Sequence, residues 1–332
     1  MDSLQDTVDR AAEHSGFSGV VRVDRLGGVE LCTAYGLADR AHEVPNTVET
    51  VFAIASGTKT LTALAVMSLV ERGTLELGTT ARSLLGDDLP LIADDVTVED
   101  LLAHRSGIGD YLDEDTLDDI ADYVLRVPVH ALATTEQFLP VLEGYPTAFP
   151  AGERFAYNNG GYVVLALLAE RASGIDFHEL VRTLVCERAG MADTAFLRSD
   201  ALPGRAALGY LAVDGLRTNV LHLPVLGTGD GGIYSTAADV HRLWEALFAG
   251  RIVAPDLVAE MVWPRSDIPK ESKRYGLGLH LHATGDEVWL EGYDAGVSFA
   301  SMHEPSREIT CTVIANWVST ALGIPCARSA SP

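Results

Sequence analysis

Ser56 and Lys59 stand three residues apart in Phe52-Ala53-Ile54-Ala55-Ser56-Gly57-Thr58-Lys59. At that spacing, on a helix, both side chains project from one face about one turn apart. A serine hydroxyl is a weak nucleophile at neutral pH and needs a base. A lysine serves when burial, nearby positive charge or a helix N-terminus lowers its pKa. The same helix start offers the Ser56 backbone N–H to a developing oxyanion. A second group lies in Phe149-Pro150-Ala151-Gly152-Glu153-Arg154-Phe155-Ala156-Tyr157-Asn158-Asn159-Gly160-Gly161-Tyr162. A tyrosine hydroxyl near a cationic lysine can shuttle protons. The Asn159 amide can accept from lysine and donate to a substrate carbonyl. Together these groups could run acyl transfer through a seryl intermediate. Taken singly, Ser56 reads equally well as a helix cap beside a solvated lysine, and Asn158 and Asn159 as caps of the next helix.

These residues need elements to hold them. Leu4 to His14 has the pattern of an amphipathic helix. Phe17 to Val23 and Gly28 to Tyr35 read as strands joined by a turn at Arg25-Leu26-Gly27-Gly28. A helix is expected from Ser56 to about Arg72, stopping at Gly73, and a short one from Thr97 to Leu102. Apolar Tyr162 to Ala172 and capped Asp176 to Arg188 read as helices, as does Thr236 to Gly250, with Ser235 as its cap. Tyr275 to Trp317 reads as three antiparallel strands, with turns near Gly285-Asp286, Asp294-Ala295-Gly296 and Pro305-Ser306. Strands at both ends with helices between predict an α+β fold with an inserted helical lobe. Asp110 to Asp122 is densely acidic and reads as a solvated face or lid.

Composition narrows the function. The chain has 332 residues, enough to bury a large core, and a net charge of −23. Such a surface repels phosphate backbones and anionic membranes, so neither nucleic acid nor membrane is an expected partner. No apolar run reaches the roughly 18 residues of a membrane span. Cys32, Cys186, Cys311 and Cys326 are far apart and read as free thiols. With no signal peptide visible, the expected location is cytoplasmic. The Gly227 to Gly232 run lacks the Lys-Ser/Thr pair of a phosphate loop, and no dinucleotide fingerprint appears, so no cofactor is expected. His280, His282 and His303 read as strand histidines: no acidic third ligand is apparent, and no metal is expected.

Several ordered motifs resemble the serine β-lactamase superfamily: Ser56-Gly57-Thr58-Lys59, Leu101-Leu102-x-His104-x-Ser106-Gly107-Ile108, and Pro150-x-Gly152-x-x-Phe155-x-Tyr157-x-Asn159-x-Gly161-Tyr162. Gly190-Met191-x-Asp193-Thr194, Gly231-Gly232-x-x-Ser235-Thr236-x-x-Asp239 and Tyr275-Gly276-x-Gly278 continue the likeness over nearly the whole chain. The branch resembled is that of class C β-lactamases, D,D-peptidases and β-lactamase-fold esterases. The resemblance implies a β-lactamase/transpeptidase-like fold. Residues 1–55 and 215–332 would form a lobe with the antiparallel sheet, and 56–214 a mostly helical lobe, with the site between them. It implies that Ser56 is acylated, that Lys59 and Tyr157 are the acid–base pair, that Asn159 orients Lys59 and substrate, and that His104 serves packing.

The likeness breaks at one place. The family carries Lys-Thr-Gly or His-x-Gly on the strand facing the nucleophile. Here that motif falls on Leu290-Glu291-Gly292, with the Tyr293 N–H as second oxyanion donor; the rival register is Asp294-Ala295-Gly296 with Val297 as donor. In either register the cation is missing and Glu291 and Asp294 stand nearby. Like charges a few Å apart repel by about 1 kcal/mol in water and by more where partly buried. A substrate with a free carboxylate is therefore disfavoured. The expected activity is hydrolysis of a small-molecule carboxylic ester or amide through a Ser56 acyl-enzyme. The alternatives are acyl transfer to an amine or alcohol, D,D-peptidase or β-lactamase activity, and a silent binding protein on this fold.

Overall fold

The computed structural model describes residues 3–113 and 120–318. Ser3 caps α1 (Leu4–Ser15) with a capping box to Asp6. The chain then forms hairpin β1 (Gly19–Arg25) and β2 (Gly28–Tyr35), a ribbon of β3 (Leu37–Asp39) and β4 (Val44–Pro45), and β5 (Phe52–Ala53). Helices follow: α2 (Thr58–Glu71), α3 (Ala81–Leu85), α4 (Val98–Leu102), α5 (Leu139–Leu142), α6 (Asn159–Ser173), α7 (Phe177–Val181) and α8 (Glu187–Ala189). Next come β6 (Ala195–Phe196), β7 (Ile233–Ser235), α9 (Ala237–Phe248) and α10 (Pro255–Met261). The chain closes with β8 (Ser266–Ile268), β9 (Lys273–Tyr275), β10 (His280–His282), β11 (Val288–Asp294), β12 (Val297–Glu304) and β13 (Ile309–Ala315).

Eight strands form one antiparallel sheet in the order β2-β1-β13-β12-β11-β10-β9-β8. The first hairpin thus pairs with the last strand. Alternation along the strands sends side chains to two cores. Val21, Val23, Cys311 and Val313 pack under α1 with Val8 and Ala12. Val20, Leu290, Phe299 and Ile314 face the main core with α9 and α2. Helix α2 is buried from Thr58 to Leu69. Its apolar side chains point to all sides, as in a helix running through a core, with Thr58, Lys59, Thr60, Thr62 and Ser68 buried among them. A three-stranded sheet, β5-β7-β6, ties the residues just before Ser56 to the middle of the chain.

Several expectations are corrected. The C-terminal segment supplies four strands from His280 onward, β10 to β13, not three, because each of the three turns separates a pair. Thr236, not Ser235, caps α9, accepting from the Asp239 N–H; the Ser235 hydroxyl is instead within 2.8 Å of the Thr194 hydroxyl. The helix expected from Asp176 to Arg188 is interrupted by a π-turn at Arg182–Cys186. Cys32 and Cys186 are free, but Cys311 is disulfide-bonded, against the expectation of four thiols. Residues 114–119 of the acidic segment lie outside the described residues.

Candidate active site

The site begins at a strained turn. Ala55, just before Ser56, has φ +45°, a conformation rare for a residue with a Cβ. The turn is pinned by Gly57 N–H donating to the Ile54 carbonyl at 2.9 Å and by the Thr58 hydroxyl donating to the Ala55 carbonyl at 2.7 Å. Ser56 is thereby presented, half-buried, at the entrance to α2.

Lys59 is one turn further and only 3% exposed. Its Nζ donates to Ser56 Oγ at 2.8 Å, to Asn159 Oδ1 at 2.7 Å and to the Asp230 carbonyl at 2.8 Å. Three acceptors match the three N–H donors of an ammonium. The Tyr157 ring centre is 4.9 Å from the same Nζ. Ser56, Lys59, Tyr157 and Asn159 therefore converge, although a hundred residues separate the two motifs.

The loop from His104 to Leu112 holds the second motif. The His104 carbonyl accepts from Ala156 N–H at 2.9 Å, and its Nδ1 accepts from Asn158 N–H at 3.0 Å. The imidazole lies against Tyr157, ring centres 4.4 Å apart. Burial holds His104 well below the usual histidine range, so it is neutral. Asp110 accepts from Asn159 N–H at 2.7 Å and Gly160 N–H at 2.8 Å, while Asn158 Oδ1 accepts from Gly161 N–H at 2.6 Å. Two side chains thus satisfy the start of α6. Burial raises the Asp110 carboxyl to about 6 against the opposing pull of the Gly160 and Asn159 N–H groups. Asp110 is accordingly a half-buried cap, not part of a solvated acidic lid. Sequence reading missed it because the loop-to-helix pairing is non-local.

It also missed Asp230. In the glycine-rich run, a Cβ at Gly229 would come 2.1 Å from the Tyr162 carbonyl, so only glycine allows this close approach to α6. That approach brings the Asp230 carbonyl to Lys59. The Asp230 carboxylate accepts from the Tyr111 hydroxyl, and burial raises both groups above their ordinary ranges.

Strand β11 runs beside the serine turn. A Cβ at Gly292 would lie 2.1 Å from the Ile54 carbonyl and 3.0 Å from Ser56 N. Gly292 and Tyr293 line a cavity of about 370 Å³ together with Ser56, Tyr157, Phe155 and His280. Leu290 does not: it is 2% exposed, in the main core. Gly296, the end of the rival register, packs against Gly209 and Tyr210, away from Ser56.

The cavity's outer wall adds Asp113, Glu271 and Glu291. The ligand atoms of Glu271, His280 and Glu291 all lie within 4.8 Å of one another, so His280 does have acidic neighbours that its sequence context hid. A cation is already there: the Lys273 ammonium sits on Glu291 and lies 3.3 Å from Glu271. This charge, brought by β9, was not foreseen when the motif strand was read as lacking one. It neutralises part of the acidic wall. Burial and Lys273 push the His280 imidazole down to about 4. His282 accepts turn N–H groups of Thr284 and Gly285, and His303 stacks on Trp244 and Phe248.

A family model described as Beta-lactamase matches residues 4–326. Esterase EstB of Burkholderia gladioli is 30% identical over 333 residues, spanning 89% of this chain and 79% of that protein. The putative penicillin-binding protein PbpX of Bacillus subtilis is 26% identical over 283 residues, spanning 83% of this chain. This chain spans 66% of the length of PbpX, just under two thirds. A penicillin-binding protein from Bacillus halodurans, solved by crystallography, superposes with a TM-score of 0.89 at 35% identity, covering 96% of this chain and 97% of its own.

Proposed function

This chain belongs to the β-lactamase family, and from that premise we propose that it is an esterase-like serine hydrolase, cleaving a carboxylic ester or small amide without a free carboxylate through a Ser56 acyl-enzyme. The observation that carries this is the 2.8 Å hydrogen bond between Lys59 Nζ and Ser56 Oγ inside the convergence of Tyr157 and Asn159.

Ser56 Oγ attacks the substrate carbonyl, and its proton passes to the Lys59–Tyr157 pair. The Ser56 and Tyr293 backbone N–H groups hold the oxyanion. The carbon–oxygen bond to the leaving group breaks as the pair returns the proton to that oxygen. Water then attacks the acyl carbon, giving a proton to the same pair, and Ser56 leaves protonated. Asn159 fixes Lys59. Asp113, Glu271 and Glu291 outnumber Lys273 at the cavity wall, which supports exclusion of carboxylate-bearing substrates. In this proposal the site lies between a sheet-bearing lobe, residues 1–55 and 215–332, and a mostly helical lobe, residues 56–214.

The test is hydrolysis of p-nitrophenyl butyrate by wild type and Ser56→Ala. Turnover by wild type that falls to background in Ser56→Ala is expected. Equal rates in both proteins, or none in either, sinks the esterase reading.

A further inference from the structure

Besides Ser56, the Lys59 ammonium donates to Asn159 Oδ1 and to the Asp230 carbonyl. The place of these two acceptors decides where the ammonium sits. Neither is fixed by its own backbone alone. Asp230 stands in Gly229-Asp230-Gly231-Gly232, and a peptide unit beside glycine turns at little cost. Its neighbours are held: the Thr62 hydroxyl donates to the Gly229 carbonyl at 2.6 Å, and Thr228 N–H donates to the Gly231 carbonyl at 3.0 Å. A side-chain amide has an acceptor end and a donor end, and a flipped Asn159 would turn N–H groups toward the ammonium. Its Nδ2 instead donates to the Leu112 carbonyl at 3.0 Å, which keeps Oδ1 on Lys59.

One side chain ties the two acceptors together. Tyr111 lies between Asp110, which accepts from Asn159 N–H, and Leu112, which accepts from Asn159 Nδ2. The Tyr111 hydroxyl reaches the other way and donates to the Asp230 carboxylate. The Tyr111 carbonyl accepts from the Tyr123 hydroxyl at 2.6 Å, so its backbone is anchored as well. Tyr111 is 8% exposed and Asp230 9%, so water does not readily replace either partner. The bonds form a closed circuit: Lys59 to Asn159, Asn159 to the 110–112 loop, Tyr111 across to Asp230, and the Asp230 carbonyl back to Lys59. Neither Tyr111 nor Asp230 is among the walls of the Ser56 cavity.

We propose that Tyr111 and Asp230 are positioning residues for the Ser56 hydrolase: their hydrogen bond closes this circuit and keeps a Lys59 N–H on Ser56 Oγ. This rests on the Ser56 hydrolase reading and adds two residues to it. The Asp230 side chain acts through its own peptide, because anchoring it fixes the carbonyl that Lys59 uses. Tyr111 acts through the loop that sets which end of the Asn159 amide faces Lys59. Drift of the ammonium by about 1 Å is enough to cost about 10²-fold in rate. The bond works by position and not by charge, so a neutral side chain that still accepts from Tyr111 restores what alanine at 230 loses.

The experiment measures kcat and KM for p-nitrophenyl butyrate at pH 7 in wild type, Ser56→Ala, Tyr111→Phe, Asp230→Ala, Asp230→Asn and the double variant Tyr111→Phe/Asp230→Ala. Each assay is run well below the melting temperature, read by circular dichroism. In Tyr111→Phe and in Asp230→Ala, kcat should fall about 10- to 100-fold while KM stays within about twofold. The double variant should fall no further than the slower single one, since both remove the same bond. Asp230→Asn should recover about tenfold over Asp230→Ala, because its amide oxygen still accepts from Tyr111. A merely structural role would lower the melting temperature and leave kcat unmoved. Tyr111→Phe keeps the ring and decides the matter where Asp230→Ala does not fold. Wild-type kcat in Tyr111→Phe overturns the proposal alone, as do losses that multiply in the double variant. Asp230→Asn as slow as Asp230→Ala also overturns it, because charge and not the hydrogen bond then matters. Absence of Ser56-dependent turnover in wild type overturns the hydrolase reading, and the positioning role falls with it.

Discussion

Within the site, single atoms decide the chemistry. Removing the Tyr157 hydroxyl in Tyr157→Phe should keep the ring against His104 while deleting one member of the proposed proton pair. A fall in kcat of about 10²- to 10⁴-fold is expected in steady-state hydrolysis, with little change in melting temperature. Asp110 offers a pH test. Its carboxyl is raised to about 6, and its ionised form accepts from both Asn159 and Gly160 N–H groups. As pH falls through about 6 it gains a proton, one oxygen turns donor, and the hold on Asn159 weakens. Activity should therefore show an acid limb near 6 that Asp110→Asn removes at a lower plateau; a limb that persists in the variant refutes this role. The stability linkage has the other sign. A raised carboxyl binds its proton more tightly folded than unfolded, so its contribution is full below its ordinary value of 3.8 and lost as pH rises through about 6.

Between elements, the close approach of β11 to the serine turn is the sensitive contact. A methyl group at Gly292 would meet the Ile54 carbonyl at 2.1 Å, a backbone atom that cannot swing aside. Gly292→Ala should push Tyr293 off the oxyanion position and cost about 10²-fold in kcat, the scale of losing one oxyanion donor; an unchanged kcat would count against the Tyr293 N–H as donor. At the start of α6, Asn158 both caps the helix and donates to the Ile108 carbonyl at 2.9 Å. Asn158→Ala should lower stability by about 1 kcal/mol or somewhat more, read from denaturant midpoints.

Across the whole molecule, one core joins sheet and helices. Leu64 of α2 is fully buried within a cluster that also holds Leu290, Phe299 and Ile314 of the sheet. Leu64→Ala should therefore cost about 2–5 kcal/mol. Because α2 also carries Lys59, loss of ellipticity and loss of activity on heating should shift down together in that variant. Separate transitions would show that the helical and sheet parts unfold independently.

Local spacing made much of this legible from sequence alone. Ser56 and Lys59 share a helix turn, so three residues of separation already put them on one face. Hairpin turns, caps and alternating apolar residues marked α1, β1, β2 and α6 because those signals act within a few residues. Non-local contacts were not readable in this way. Asp110 looked like one more acid in a charged run until the loop carried it under α6. Lys273 and Glu291 are eighteen residues apart and meet only because β9, β10 and β11 are neighbours in one sheet. The Asp230 carbonyl reaches Lys59 because glycine lets two backbones approach closely. Residue type and short spacing set the candidate reacting groups, whereas chain packing set what surrounds them, since charge and burial depend on residues distant in sequence.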